Sequence, residues 1–501
     1  MASHVPRPVA RYVPDEILLM IFSYVKLPHN IGSLHPNMER KGLETLKALV
    51  RCSKRFHRIA KPLLYKTVYV RNTFERHALI RALSRQPDLG RLIHNFLLDD
   101  ITYIHKCPHP RPRSRPRPRS RPRPILDRNI VNNEIESPQR KFALPPVMMK
   151  RMLKSLSCDS EVAFLLAFVP NLKYLFLDLP IGTGVLDIFQ YVTGKIKPRP
   201  RGRLGAPGNF RLLSKGHFSE LQNIILGSRI FPRDPDSRIF ATLGNYVGSS
   251  QKLDKSQQLI VAIFDFPNLI SFSIGRLFWG RSMLNKIPAV LGLRHIDLDV
   301  IWLNSRCLIN LLTQCPNLCS LRFATPNYEY RENFSISLEA VGNFLRDSID
   351  SCLETLVIEQ PVPPYPVLTP YGYTGIIGPL RELRNLRTLH IPLHFLVGNR
   401  YLEKSLDEWL PDSIESIRIT KRCVYNSEFI RYVHDQVIQM VSKGTVPNLR
   451  EVRAGLCGGS PFCIAHYLKN VGRPGWTVRY ALQDDDLRKQ INPWPEILEV
   501  I

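Results

Sequence analysis

Apolar residues along this chain follow two different periods. Near the N-terminus the period is helical: Ile17, Leu18, Ile21, Phe22 and Val25 form one stripe, with Met20 and Tyr24 at its margins. Leu43, Leu46, Leu49 and Val50 form a second stripe, and Phe56, Ile59, Ala60 and Leu63 a third. Pro14 suits the first helical position because its missing N–H would be unpaired there, and Asp15 and Glu16 place negative charge at the positive end of the helix dipole. The pattern predicts three short amphipathic helices that cover one another.

Further along, a different spacing takes over. Phe74 to Leu83 reads as a helix, and Arg91 to Leu98 as a strand with Ile93, Phe96 and Leu98 pointing inward. This three-plus-two spacing recurs at Leu172/Leu175/Leu177, Leu221/Ile224/Leu226, Leu269/Phe272/Ile274, Leu293/Ile296/Leu298 and Leu318/Leu321/Phe323. It continues at Leu353/Leu356/Ile358, Leu386/Leu389/Ile391, Ile414/Ile417/Ile419 and Leu449/Val452/Ala454. From Leu269 onward the copies start 24, 25, 35, 33, 28 and 35 residues apart, with helical stretches such as Cys307 to Gln314, Leu338 to Leu345 and Phe429 to Val441 between them.

Pro-Asn-Leu precedes or opens four of these strands, at Pro170, Pro267, Pro316 and Pro447. Proline ends the incoming helix, asparagine turns the chain, and leucine begins the buried face. A single unit leaves its leucine face bare, and stacking buries it. The expected fold class is therefore α/β: a small three-helix module over residues 1–70, then a curved solenoid of strand-plus-helix units over 71–501. A doubly wound open sheet is the competing arrangement.

Two resemblances follow from these residues. Pro14-Asp15-Glu16-Ile17-Leu18 with Ile21-Phe22, then Val50-x-Cys52-x-Lys54-x-Phe56, resembles an F-box, and the ending Pro62-Leu63-Leu64-Tyr65 is similar to that of many fungal F-box proteins. Val13 stands where that family usually has Leu, and the segment from Leu27 to Gly42 is longer than the usual link. The three-plus-two units resemble the L-x-x-L-x-L strands of leucine-rich repeats, whose period is roughly 20–29 residues, so the repeats here are irregular.

The resemblance implies a non-enzymatic substrate receptor of a cullin-RING (SCF) ubiquitin ligase. In that reading Pro14, Ile17, Leu18, Ile21, Phe22, Val50 and Phe56 bind the Skp-type adaptor, and through it a cullin, while the repeats bind a target protein for ubiquitin-dependent degradation. Other subunits would transfer the ubiquitin. Strand residues between the inward leucines face solvent, which makes Tyr174, Arg294, Asp297, Arg322, Glu354, His390, Arg418 and Arg453 the candidate target-facing residues.

Composition changes this picture only in places. The formal net charge is +26, but Tyr103 to Leu126 holds Lys106 and seven arginines without an acid, and Gly194 to Gly205 holds five more basic residues. Thirteen of the twenty-six charges thus sit in two Pro/Gly-rich segments, expected as disordered loop insertions at about residues 105–125 and 194–210. Pro108 to Pro124 alternates proline and arginine and is expected to be an extended, solvated chain. A nucleic-acid or chromatin-associated role through that tract is the alternative reading, as is an F-box scaffold outside any ligase. Because the tract has no interleaved aromatics, it gives no support to base stacking.

Ten cysteines are scattered singly with no Cys-x-x-Cys, so reduced thiols are expected, as in cytoplasm or nucleus. The longest apolar run, Val162 to Val169, is far shorter than the ~20 residues of a membrane span. Gly-x-Ser-x-Gly, phosphate loops, His-Glu-x-x-His and calcium loops are absent, and no catalytic residue or cofactor is expected. His295, Asp297 and Asp299 at period two, with His390 and His394, superficially resemble a metal site, but a polar row on the solvent side of strands needs no ligand to explain it.

Overall fold

The computed structural model describes residues 13–25, 36–99, 158–178, 183–194, 216–227, 258–275, 288–299, 304–324, 336–348, 352–359, 373–398, 405–421 and 443–456, with helical positions at 432, 435, 436, 439 and 440. Pro108–Pro124, the basic run Lys195–Arg203 and most of the expected helix Phe429–Val441 lie outside these residues.

Three helices open the chain: α1 (Asp15–Tyr24), α2 (Pro36–Cys52) and α3 (Lys54–Lys66). Pro14 is the N-cap of α1 with ψ 153°, so the helix begins one residue later than its proline suggested. Ser53 caps α3 by accepting from the Phe56 N–H at 3.1 Å, and Pro62 lies inside that helix instead of closing it. The three helices share a small core of Leu18, Phe22, Leu46, Ile59 and Ala60, against which Val13, Val25, Leu49, Val50, Phe56, Leu63 and Leu64 pack.

Helix α3 runs without a loop into β1 (Thr67–Val70), the first strand of a large sheet. Next come α4 (Thr73–Arg85), β2 (Asn95–Asp99), α5 (Cys158–Ala167), β3 (Tyr174–Asp178) and α6 (Thr183–Val192). The chain continues through β4 (Asn223–Leu226), β5 (Ser271–Gly275), β6 (His295–Asp299), α7 (Ser305–Thr313) and β7 (Ser320–Ala324). After β8 (Ile336–Ser337) and α8 (Leu338–Ser348) come β9 (Thr355–Glu359), β10 (Tyr373–Thr374), β11 (Thr388–Pro392) and α9 (Leu393–Leu396). The described strands end with β12 (Ser416–Lys421) and β13 (Glu451–Leu456).

Eleven strands form one parallel sheet in the order β1-β2-β3-β4-β5-β6-β7-β9-β11-β12-β13, while β8 and β10 make a separate pair. Strand order follows chain order throughout. A doubly wound sheet would reverse its order at a switch point, and this one does not. Its register keeps one apolar row continuous: Val68, Phe96, Leu175, Ile224, Phe272, Ile296, Leu321, Leu356, Leu389, Ile417 and Val452 are successive partners. Apart from Val68, which is half-buried, these side chains lie in a single buried core with the inner residues of the helices. Each contributes about 1.5–3 kcal/mol by leaving water.

Phe74–Leu83 falls within α4, and Ile93, Phe96 and Leu98 are buried, although the strand starts only at Asn95 because a 3-10 turn (Pro87–Leu92) precedes it. One unit escaped the sequence reading. Tyr65-x-x-Val68-x-Val70 keeps the three-plus-two spacing and supplies β1, so residues up to Val70 belong partly to the sheet.

The asparagines of Pro-Asn-Leu do more than turn the chain. Asn171, Asn268, Asn317 and Asn448 donate through Nδ2 to the carbonyl oxygens of Arg91, Ser219, Leu291 and Asp412, at 2.9, 2.6, 2.8 and 2.9 Å. Each acceptor lies two residues before the first inward residue of the preceding unit, so the amide fastens consecutive units at a fixed phase. Tight approach between units also demands glycine: a Cβ on Gly342 would overlap the Ile377 carbonyl oxygen, and one on Gly90 that of Phe168.

Candidate interaction surfaces

Two surfaces collect the side chains singled out from the sequence. The first is α1. Its apolar residues divide between core and solvent: Leu18 and Phe22 are 6% and 4% exposed, whereas Ile17, Leu19, Met20, Ile21 and Tyr24 are 43%, 46%, 56%, 50% and 84% exposed. Positions 17, 20, 21 and 24 follow i, i+3, i+4, i+7 spacing and so share one helix side. Of the seven expected adaptor contacts, Ile17, Ile21 and Pro14 lie on the surface. Leu18 and Phe22 are core residues, and Val50 and Phe56 are half-buried against them, with the Phe22 and Phe56 rings edge to face at 5.2 Å.

Asp15 fastens the start of α1 to α3, accepting from Arg55 Nε at 2.6 Å and from Arg58. Arg55 also donates to the Val13 carbonyl oxygen. The Arg55 hydrogen bond, with Arg58 beside it, holds the Asp15 carboxyl below its ordinary range, although desolvation opposes this.

The second surface is the sheet face opposite the buried rows. Its N-terminal part is apolar and closed: Leu97, Tyr174 and Ile225 are buried together, with Phe176 packed on them. Tyr174, expected as a contact, is therefore part of this small core. From β6 onward the face is mostly polar, with Val357 of β9 in register between Arg322 and His390. Arg322 on β7 donates to Asp297 Oδ1 on β6 at 2.7 Å and to Glu359 Oε2 on β9 at 2.6 Å. His390 on β11 places Nδ1 3.9 Å from Glu359 Oε1, and Arg418 on β12 is its partner in register. Burial would raise the Glu359 carboxyl, but Arg322 above all, then His390 and Arg418, hold it below its ordinary value.

The structure thus brings Asp297, Arg322, His390 and Arg418 together around Glu359, which the sequence reading missed. Glu359 lies one residue past the third inward position, Ile358, whereas the three-plus-two pattern marks as outward only the positions between inward residues. Arg294 and Glu354 are exposed just before β6 and β9, away from this cluster, and Arg453 is the register partner of Arg418 on β13.

His394 falls on α9, its ring against Phe395, whereas His390 lies on β11. Among the described residues no three His, Cys, Asp or Glu side chains are placed to hold a metal ion, and no helix is long and apolar enough to cross a membrane. Cys52, Cys315 and Cys319 are free thiols, and burial pushes Cys315 up to about 12.

A third cluster went unnoticed in the sequence because its members are 85 residues apart. Glu161 on α5 accepts from Arg76 Nε at 2.5 Å and pairs with His77 Nε2 at 2.9 Å, both on α4, with all three side chains largely buried. Desolvation raises the Glu161 carboxyl, but His77 and Arg76 outweigh it and leave the value lowered. The cluster ties together helices on either side of the arginine-rich segment. Comparison of the sequence with models of known protein families and with curated proteins finds no match in either.

Proposed function

We propose that this chain is the substrate-recognition subunit of an SCF-type ubiquitin ligase: an F-box-like module docks on a Skp-type adaptor, and a leucine-rich-repeat-like solenoid holds a target protein. One observation carries the reading: the side of α1 turned away from its own core exposes Ile17, Met20, Ile21 and Tyr24 together. A contiguous apolar stripe of this kind on a small module is the mark of a surface that a partner completes. Its place within residues that resemble an F-box makes the adaptor the partner. For the repeat region, support comes from eleven parallel strands in chain order and from the recurring asparagine bonds between units. The chain itself performs no chemistry in this reading. It brings a target to enzymes carried by other subunits.

The test is a double variant, Met20→Glu with Ile21→Glu, in the full-length chain. Both side chains are already in water, so stability should move by no more than about 0.5 kcal/mol. Capture of the Skp-type adaptor should be lost. Leu18→Asp would be a poor substitute, because it attacks the core of the bundle. Undiminished adaptor capture by a folded double variant would sink the assignment.

A further inference from the structure

The polar part of the sheet face holds a cluster whose charges nearly cancel and which contains one adjustable group. Asp297 and Glu359 stand against Arg322 and Arg418, so the sum is near zero with the imidazole of His390 left out of the count. Three basic side chains from three strands converge on the Glu359 carboxylate: Arg322 at 2.6 Å, His390 at 3.9 Å, and Arg418, which adds to the positive field there. This is a carboxylate-binding arrangement already occupied once by the chain's own glutamate. Elsewhere on the same face Leu97, Tyr174 and Ile225 are buried together and Ser271 and Ser273 are buried, whereas Asp297, Arg322, Glu359 and His390 keep 14%, 23%, 34% and 13% of their side-chain surface exposed.

We propose that this cluster grips the target, and that the target presents an acidic segment whose Asp or Glu carboxylate seats beside His390 and Arg418. The proposal rests on the receptor reading above and names the chemistry of its target. A second carboxylate favours the imidazolium form of His390, so seating takes one proton from solvent onto the ring and the added negative charge is balanced. The groups that face His390 are Glu359, with Arg322 behind it, from the β9 side, and Arg418 from β12. Tyr373 on β10 donates its hydroxyl to the Glu359 carbonyl oxygen at 3.0 Å, and His394 lies on the helix that follows β11. Of these, only the histidines change charge near neutrality, and His394 packs on Phe395.

Fluorescence anisotropy with the full-length protein tests this. The probes are a labelled peptide of alternating Glu and Ser, its Gln/Ser analogue, and a single-stranded oligodeoxynucleotide of matched charge. The Glu peptide should bind about tenfold more tightly than the Gln analogue, and more tightly at about pH 6 than at about pH 8. Arg418→Gln should remove about tenfold of that affinity and Arg418→Lys should return part of it, a rescue that general misfolding would not show. His390→Gln should abolish the pH dependence. Replacing Arg111, Arg113 and Arg115 with Gln should leave the preference for Glu over Gln intact.

Equal binding of the two peptides would overturn the proposal, as would a loss that follows the arginine tract or a pH dependence that survives His390→Gln. Binding of the oligonucleotide, lost on Arg418→Gln, in place of the peptide would also overturn it. Adaptor capture is scored on the same variants and should persist in all of them. Failure of peptide binding with intact adaptor capture defeats this proposal alone, whereas peptide binding without adaptor capture by the wild type defeats only the ligase reading.

Discussion

The helical bundle and the parallel sheet are built from equally apolar patterns but close differently. In the bundle, five residues are buried and α1 leaves five large apolar side chains exposed. In the sheet, one core runs from Val70 to Val452, and Leu175, Ile224, Phe272, Leu321, Leu356 and Leu389 are each completely hidden. The difference is one of neighbours. Each sheet unit is covered by the next, so its apolar face is used up internally, whereas a module of some fifty residues has too little chain to wrap all of its apolar surface. Leftover apolar surface therefore stays on the bundle, whereas the sheet face from β6 onward carries charge.

Four substitutions would break or sharpen this contrast. The largest effect is expected from Leu356→Asp, which buries an unpaired charge in the continuous row and should unfold the sheet, at a cost of several kcal/mol read as loss of its cooperative melt. Phe22→Ala should cost about 3–5 kcal/mol locally, removing the edge-to-face contact with Phe56. Hydrogen exchange should show α1 to α3 opening while β3 to β12 stay protected. Equal loss of protection in both regions would show that they form one cooperative unit.

Next comes Glu161→Gln, expected to cost about 1.5–3 kcal/mol at neutral pH because it weakens charged hydrogen bonds to Arg76 and His77. The folded Glu161 is lowered relative to its unfolded value, so its contribution is complete above the ordinary glutamate range and fades as pH falls through the folded value. Melts of the two proteins should therefore converge in acid, and a gap that widens on acidification would contradict the pairing. Smallest is Asn317→Ala, which removes one bond to the Leu291 carbonyl and should cost about 0.5–1.5 kcal/mol by thermal melt. A cost near zero would show that the asparagine acts only through the turn.

Much of the sheet was legible because a three-plus-two spacing is a local property: Leu318, Leu321 and Phe323 face one way whatever surrounds them. The β1 unit stayed hidden because Tyr65 closes the motif assigned to the helical module, although Tyr65, Val68 and Val70 keep the same spacing. Ile17, Leu18, Ile21 and Phe22 make one stripe by their spacing, yet a ten-residue helix that is apolar on nearly every side does not tell which side its own module will cover.

What the sequence determined by itself was the period of each region, the identity of the inward rows and the presence of polar positions between them, because these depend on residues a few places apart. Only the tertiary structure decided that Leu18 turns in and Ile21 out, that Glu359 joins Arg322 and His390, and that Glu161 closes on Arg76 across 85 residues. Those outcomes depend on strand register and helix packing between distant segments, where a shift of one residue would give every polar side chain a different neighbour.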